Sequence, residues 1–436
     1  MDETHVVTCF LRNRGEVLLL RRSEEVGSYP GQWAGVAGHA EDDPHRAARD
    51  EIAEETGLLD ACSLARAGVT FSFEDSEARS ASERRAEPGD AGLATRWVVH
   101  PYLFDCDRRD AETDWETAEA EWVHPTEILR RETVPQLWTA YSRVGPTIQQ
   151  VADDADHGSA YLSVRALEVL RDRAGSFAER DPDADRWPQL VAIAERLLDA
   201  RPSMSAVENR VNRAMSEADR NAGTASAVEE SAREGIERAY RADEDAAENA
   251  ADEIHSETVL TLSRSGTVLD ALPAADRVLV AESRPAREGV GVAEELAEME
   301  NAPDVTLHTD AAIGHALATE DVDAVVVGAD AILPDGRVVN KTGTLLGALS
   351  ADREAIDCYA VAASDKIRTD DTVHLDEGDP EDVYDGDAGI EVLNPTFDVT
   401  PAELVSEVIT ERGTLGADEI GDVSRELRER SQWRDE

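Results

Sequence analysis

The chain has 436 residues, with 94 acidic against 43 basic side chains and a formal net charge of −51. At roughly 100–200 residues per domain, that length predicts two to four domains. No apolar run approaches the ~18–20 residues of a membrane span, and Met1-Asp2-Glu3 is not expected to open a secretory signal. So large a negative charge would also repel a phosphate backbone, so membrane, secretory and generic nucleic-acid-binding classes are set aside. Disorder is the usual companion of high charge, but 41% hydrophobic residues gathered in apolar segments oppose it. The composition is that expected of a cytoplasmic protein from a salt-accumulating halophile, where a Debye length of about 3 Å at 1 M relaxes self-repulsion. Cys9, Cys62, Cys106 and Cys358 have no C-x-x-C spacing, which predicts neither a zinc site nor a disulfide framework.

In chain order, residues 5–11 and 16–20 read as strands around a polar turn. A helix is predicted over 44–56, with Asp43 as cap, Pro44 in its first turn and Gly57 ending it. Segment 75–96 reads as a charged mobile loop, 97–104 and 121–124 as strands, and 125–131 as a short helix, giving an α+β domain over 1–143. Residues 144–256 show only helical periodicity, at 160–173, 187–200, 205–220 and 227–257, and form an expected α-helical subdomain. Strands at 258–262, 277–282, 305–308, 324–327 and 358–362 then alternate with helices. That alternation predicts an α/β Rossmann-like parallel-sheet domain over 257–420, followed by a charged tail over 421–436.

Chemistry first appears in Gly38-His39-Ala40-Glu41 and Asp50-Glu51-Ile52-Ala53-Glu54-Glu55-Thr56-Gly57-Leu58. Glu51, Glu54 and Glu55 stand at i, i+3 and i+4 of the helix, so their carboxylates share one side and repel unless a cation joins them. Hard oxygen ligands select Mg²⁺ or Mn²⁺; the alternative is a solvated acidic face. This stretch, with Val17-Leu18-Leu19-Leu20-Arg21-Arg22, Gly31-Gln32-Trp33 and Glu121-Trp122 around it, resembles the Nudix family over roughly residues 5–140. The resemblance implies metal-dependent hydrolysis of a nucleoside diphosphate derivative, with metal ligands at Glu51, Glu54 and Glu55 and Glu54 also catalytic. Two departures stand out: Asp50 replaces the family's arginine, and the Gly38–Glu51 spacing is two residues short, leaving Glu41 as the nearest match to the first box glutamate.

A second constellation begins at Val325-Val326-Val327-Gly328-Ala329-Asp330, which places Asp330 at the carboxyl end of a buried strand, where open α/β sheets bind ligands. A cap or turn role for Asp330 is the alternative. Asn340-Lys341-Thr342-Gly343-Thr344 is expected to open a helix whose free N–H groups favour phosphate. Lys341 and Lys366 are the chain's two lysines among 43 cationic side chains. An ammonium is a compact charge with a tunable pKa that a guanidinium does not replace at a phosphate or proton-transfer position, so both are expected in a site.

With Arg201-Pro202-Ser203, Glu282-Ser283-Arg284-Pro285, Ser364-Asp365-Lys366 and Asn394-Pro395-Thr396-Phe397-Asp398-Val399-Thr400-Pro401, these motifs resemble the initiation factor 2B alpha, beta and delta family over about 145–415. That family includes ribose-1,5-bisphosphate and methylthioribose-1-phosphate isomerases. The resemblance implies an acid at Asp330, sugar-phosphate contacts at Arg201, Arg284, Asn340, Lys341 and Lys366, and a homodimer or higher homo-oligomer formed through this module. The family's catalytic cysteine falls at Ser263, a far poorer proton acceptor, and its Arg-Gly-Ala loop becomes His157-Gly158-Ser159-Ala160. Two readings follow: a Nudix hydrolase fused to a sugar-phosphate isomerase, or a regulatory sensor that binds phosphorylated small molecules without turnover.

Overall fold

A computed structural model describes residues 3–40, 43–75, 95–154, 157–182, 184–373 and 375–434. Glu41 and nearly all of the expected 75–96 loop lie outside them. The chain divides into two units: one holds Met1–Thr147 and Glu168–Arg186, the other Ile148–Leu167 and Trp187–Glu436. The first unit's main segment ends at Thr147, and the helical stretch contributes to both units.

In the first unit the strands are β1 (Glu3–Asn13), β2 (Glu16–Arg22), β3 (Trp33–Ala34) and β4 (Val36–His39), then the helix α1 (Pro44–Thr56). They continue as β5 (Cys62–Ala67), β6 (Phe71–Asp75), β7 (Thr95–Cys106) and β8 (Thr117–Val123), before a short helix α2 (Leu137–Tyr141). Central β1 runs parallel to β7 and antiparallel to β2 and β4. Side-chain alternation sends Val7, Cys9 and Leu11 into one core with Ala48 and Ile52 of α1, and Phe10 into another with Leu137 and Tyr141 of α2. Each fully buried side chain of this size contributes roughly 1.5–3 kcal/mol.

β5 and β6 escaped the sequence reading because both are short and neither carries a fully buried residue. They also overturn the cysteine expectation. β5 pairs antiparallel with β7 so that Cys62 faces Cys106, and the two form a disulfide with Cα atoms 4.2 Å apart. Partners 44 residues apart in sequence leave no spacing signature.

The second unit opens with α3 (Ile148–Asp153) and α4 (Ser159–Arg180), whose residues from Glu168 onward belong to the first unit. α5 (Trp187–Ala200), α6 (Ser205–Arg220) and α7 (Ala225–Glu253) follow. The remainder alternates: β9 (Thr258–Leu262), α8 (Gly266–Ala271), β10 (Arg277–Ala281), α9 (Glu288–Glu298), β11 (Asp304–His308), α10 (Ile313–Thr319) and β12 (Ala324–Gly328). Next come β13 (Ala331–Ile332), β14 (Val338–Lys341), α11 (Thr344–Glu354), β15 (Asp357–Val361), β16 (Phe397–Thr400), β17 (Glu407–Thr410), β18 (Gly413–Leu415) and α12 (Ala417–Glu429). The large sheet has the order β11-β10-β9-β12-β15-β17-β18, parallel through β17 and closed by antiparallel β18. The order reverses between β9 and β12, the crevice where such sheets bind ligands.

The segment expected as a charged tail is instead α12, which buries Ile420, Val423 and Leu427 at helical spacing; Trp433 beyond it is also buried. No helix among the described residues is long and apolar enough to cross a membrane.

Candidate functional site

In the first unit, Asp43 Oδ1 accepts the N–H groups of His45 (3.0 Å) and Arg46 (3.3 Å), while Gly57 at φ 65° ends α1. The helix turns Ala48, Ile52, Glu55 and Thr56 to the core. A step of about 100° per residue therefore buries Glu55, exposes Glu54 and leaves Glu51 between. Glu55 Oε2 accepts the Ala37 N–H at 3.3 Å. A Cβ on Gly38 would land on the Glu51 carboxylate, so glycine leaves room for that carboxylate against the strand.

Burial, and then the charge of Glu51, pushes the Glu55 carboxyl up to about 8. Glu51 is raised by burial and by Glu54, Glu116, Asp50 and Asp114. Asp114 and Glu116, in the turn before β8, were not singled out from sequence. Asp50, where the family has arginine, pairs with Arg46 at 3.4 Å on the exposed side of α1. Among the described residues no three His, Cys, Asp or Glu side chains are gathered as a metal cage. What the site offers is two mutually repelling, partly desolvated carboxylates with oxygen-only donors. That set fits a hard divalent cation that draws its other ligands from water and a substrate phosphate.

In the second unit, strand ends bring the other residues together. Ser263 follows β9, Ser283 follows β10, Asp330 follows β12, and Lys366 lies in the turn after β15. Burial raises the Asp330 carboxyl, while Lys366 and Lys341 pull the opposite way and Glu288 and Asp376 push it up again. Lys366 Nζ donates to the Ala329 carbonyl at 2.7 Å. Lys341 Nζ pairs with Glu288 Oε1 at 2.9 Å and lies 5.8 Å from the Phe397 ring centre. Two clefts open here. One is lined by Ser203, Asp330, Arg368, Asp376 and Phe397. The other is lined by Arg284, Glu288, Lys341, Thr342 and Asn394.

Glu288 was not read from sequence; it directly precedes Gly289. A Cβ on Gly289 would overlap the Ala281 carbonyl, so glycine lets the start of α9 close on β10 and sets Glu288 beside Ser263. The Ser263 hydroxyl donates to Glu288 Oε2 at 2.7 Å. Its backbone N–H donates to Ser283 Oγ at 2.6 Å, and Asp310 receives the N–H groups of Ser283 (2.8 Å) and Arg284 (2.7 Å). Ser263 and Ser283 both hold positive φ, 62° and 61°, a left-handed conformation that costs L-residues roughly 1–2 kcal/mol and that this network sustains.

Three expectations need correction. Asn340 and Lys341 end a strand, and α11 begins only at Thr344. Its first N–H groups are not free for phosphate, because Asp398 Oδ2 accepts from Gly343 (2.8 Å) and Leu345 (3.2 Å). Asn340 turns inward, donating to Thr344 Oγ1 at 2.9 Å. Arg201 is occupied as well: its guanidinium donates to the carbonyls of Val151 (2.8 Å) and Asp154, so the 201–204 segment reaches the Asp330 cleft through Ser203 and Met204. Arg284 is exposed at the rim.

The Lys366 turn is pinned from α6. Asn209 Nδ2 donates to the carbonyls of Asp365 (2.8 Å) and Ile367 (2.7 Å), and Ser205 Oγ to that of Lys366 (2.8 Å). Buried Asp365 pairs with Arg210 (3.1 Å) and Arg213 (2.7 Å).

Residues 155–417 match the initiation factor 2 subunit family, and residues 2–144 match the NUDIX domain. A ribose 1,5-bisphosphate isomerase of Haloferax volcanii is 31% identical over 307 residues, covering 65% of this chain and 94% of that protein. A methylthioribose-1-phosphate isomerase of Azotobacter vinelandii is 38% identical over 168 residues, 34% of this chain and 46% of that one, so the chain spans less than half of that relative. Among solved structures, the translation initiation factor eIF-2B of Pyrococcus horikoshii OT3 aligns with a TM-score of 0.51 and 26% identity, over 62% of this chain and 94% of the other. The chain therefore belongs to the initiation factor 2 subunit family, with a NUDIX domain ahead of the family's own domain.

Proposed function

We propose that the second unit interconverts an aldose 1-phosphate and its ketose, with Asp330 as the acid. The observation that carries this reading is Asp330 itself: a carboxyl raised by burial, within electrostatic reach of both lysines, at the switch point of a parallel sheet. A sugar phosphorylated at C1 is locked as a ring. Protonated Asp330 gives its proton to the ring oxygen as the C1–O bond breaks, and a base removes the proton from C2, leaving a C1=C2 enol. The base returns that proton to C1, the Asp330 carboxylate takes the C2 hydroxyl proton, and the ketone forms. Both groups end as they began. Lys341 and Lys366 balance phosphate charge, with Arg284 at the rim; Asn340 and Ser263 hold the walls of the site. The proposed assembly is a homodimer or higher homo-oligomer through this unit.

For the NUDIX domain the proposed reaction is hydrolysis of a nucleoside diphosphate derivative. Glu51 and Glu55 would hold Mg²⁺ or Mn²⁺, and Glu54, exposed beside them, would take the proton of the attacking water. Polarisation of the phosphoryl oxygens is the chemistry a divalent cation supplies when bound there. The regulatory reading is favoured by one feature, the hydroxyl of Ser263 where the isomerases carry a thiol.

Ketose formation from ribose 1,5-bisphosphate and 5-methylthioribose 1-phosphate, and hydrolysis of a nucleotide-sugar and dinucleotide panel with Mg²⁺, both in multi-molar KCl, test the assignment. Turnover lost in Asp330→Asn and in Glu54→Gln, with binding retained, is the expected result. Tight binding without turnover by the unaltered protein in both assays would leave the sensor reading standing instead.

A further inference from the structure

We propose that Glu288, rather than Ser263, is the base that carries the proton between C2 and C1. This rests on the isomerase reading above. A neutral hydroxyl is a poor proton acceptor near neutral pH, and the Ser263 hydroxyl is already committed as a donor to Glu288 Oε2 at 2.7 Å. Its partner is a carboxylate that lines the same cleft as Arg284 and Lys341. Glu288 is also built into position. Gly289 permits the close approach of α9 to β10, and the Asp310–Ser283–Ser263 chain aims the hydroxyl that grips one carboxylate oxygen. The other oxygen is held by Lys341 Nζ at 2.9 Å.

That ion pair gives the base a trigger. A substrate phosphate competes for the Lys341 ammonium, and a carboxylate that loses its counter-cation takes a proton more readily. Glu288 then faces the sugar, steadied by Ser263, while Asp330 at the end of β12 supplies the acid. The proton leaves C2 for the Glu288 carboxylate and returns from it to C1, so no further reactant is needed. Ser263 acts in this scheme as a positioning residue.

The experiment uses the full chain in multi-molar KCl with ribose 1,5-bisphosphate and 5-methylthioribose 1-phosphate. It reads kcat, KM and the transfer of deuterium from C2 to C1 in substrate deuterated at C2. Glu288→Gln should lower kcat about 10³-fold and Ser263→Ala only about 10-fold, the range spanned by losing a general base and by loosening one. KM in Glu288→Gln should stay within about 3-fold, because the loss falls on the chemical step. Glu288→Asp, which keeps a carboxylate, should recover part of the rate and of the deuterium transfer, separating chemistry from a folding defect. Retained turnover in Glu288→Gln, or a Ser263→Ala loss as deep as that of Glu288→Gln, overturns the assignment of the base alone. If the unaltered protein turns over neither sugar, the isomerase reading fails and this inference with it.

Discussion

Asp365→Asn is the sharpest test of how the second unit holds its lysine turn. The carboxylate is buried with Arg210 Nε at 3.1 Å and an Arg213 terminal nitrogen at 2.7 Å. The amide keeps the shape and removes the charge, leaving two buried guanidinium groups. Arg210 retains Asp243 at 3.5 Å and the Ser163 hydroxyl at 2.8 Å, so the heavier loss falls on Arg213. Removing one partner of a buried pair costs about 3–5 kcal/mol; the remaining Arg210 contacts place the expected loss near 3 kcal/mol at the low end of that range. Urea titration in constant KCl measures it, because urea leaves ionic strength untouched and the midpoint shift at fixed slope gives the stability change.

Hydrogen exchange should rise in 205–220 and 363–367 together, since α6 and the turn are one bonded unit. Adding Arg213→Met should restore at least ~1 kcal/mol, because it removes the orphaned charge. The pH dependence has a definite sign. Burial alone would raise the Asp365 carboxyl, yet Arg213 and Arg210 hold it below its usual value. Its stabilisation is therefore present above the unfolded value of about 3.9 and is lost as pH falls through the folded one. The gap between wild type and Asp365→Asn should close in acid. A loss under about 1 kcal/mol at neutral pH, or a double variant weaker than the sum of the singles, would refute the reasoning.

Asp330 works in the opposite direction: its carboxyl is raised by burial, so its neutral form persists above the usual range. Isomerase kcat should fall as pH rises through that value, and Asp330→Asn should remove about 10²–10⁴-fold of the rate. In the NUDIX domain, Gly38→Ala would displace the Glu51 carboxylate; Mg²⁺-dependent hydrolysis and Mg²⁺-induced thermal stabilisation should both weaken. A thiol titration should find two groups per denatured, unreduced chain, from buried Cys9 and Cys358, and four after reduction of Cys62–Cys106. The loop closed by that bridge spans 44 residues, and Cys62→Ser should cost about 4 kcal/mol on the chain-entropy estimate.

Local signals carried far in this chain. The helices predicted over 187–200 and 205–220 and the strand over 258–262 coincide with α5, α6 and β9, because the helical and strand periodicities there are uninterrupted. The Pro44–Thr56 helix has both of its stops written in it, Asp43 and Gly57. Non-local features left no such trace. Asp398 closes the start of α11 from more than fifty residues downstream, so a sequence reading sees free N–H groups where the fold has already supplied a carboxylate. Arg201 looked like a phosphate contact by motif, yet the C-terminal end of α3 claims its guanidinium. The 421–434 stretch reads as charged because its polar face is charged, while Val423 and Leu427, in helical register with Ile420, decide its burial.

The lysines show where composition says more than periodicity. In a chain with 43 cationic side chains, a lysine kept at two positions asks for a reason that arginine does not satisfy. The structure places Lys366 inside, with its ammonium on the Ala329 carbonyl at 2.7 Å, and Lys341 on Glu288 at 2.9 Å. Both are close enough to act on Asp330. A guanidinium at either place would spread its charge over a planar fork of five donors. At position 366 most of those donors would lie buried beside a single carbonyl, each unsatisfied one costing about 1–3 kcal/mol. At position 341 the fork would bind Glu288 through two parallel bonds instead of a point contact. Such a clamp holds a carboxylate too firmly for a phosphate to displace. An ammonium gives the weaker, exchangeable contact that a site alternating between a protein carboxylate and a substrate phosphate requires.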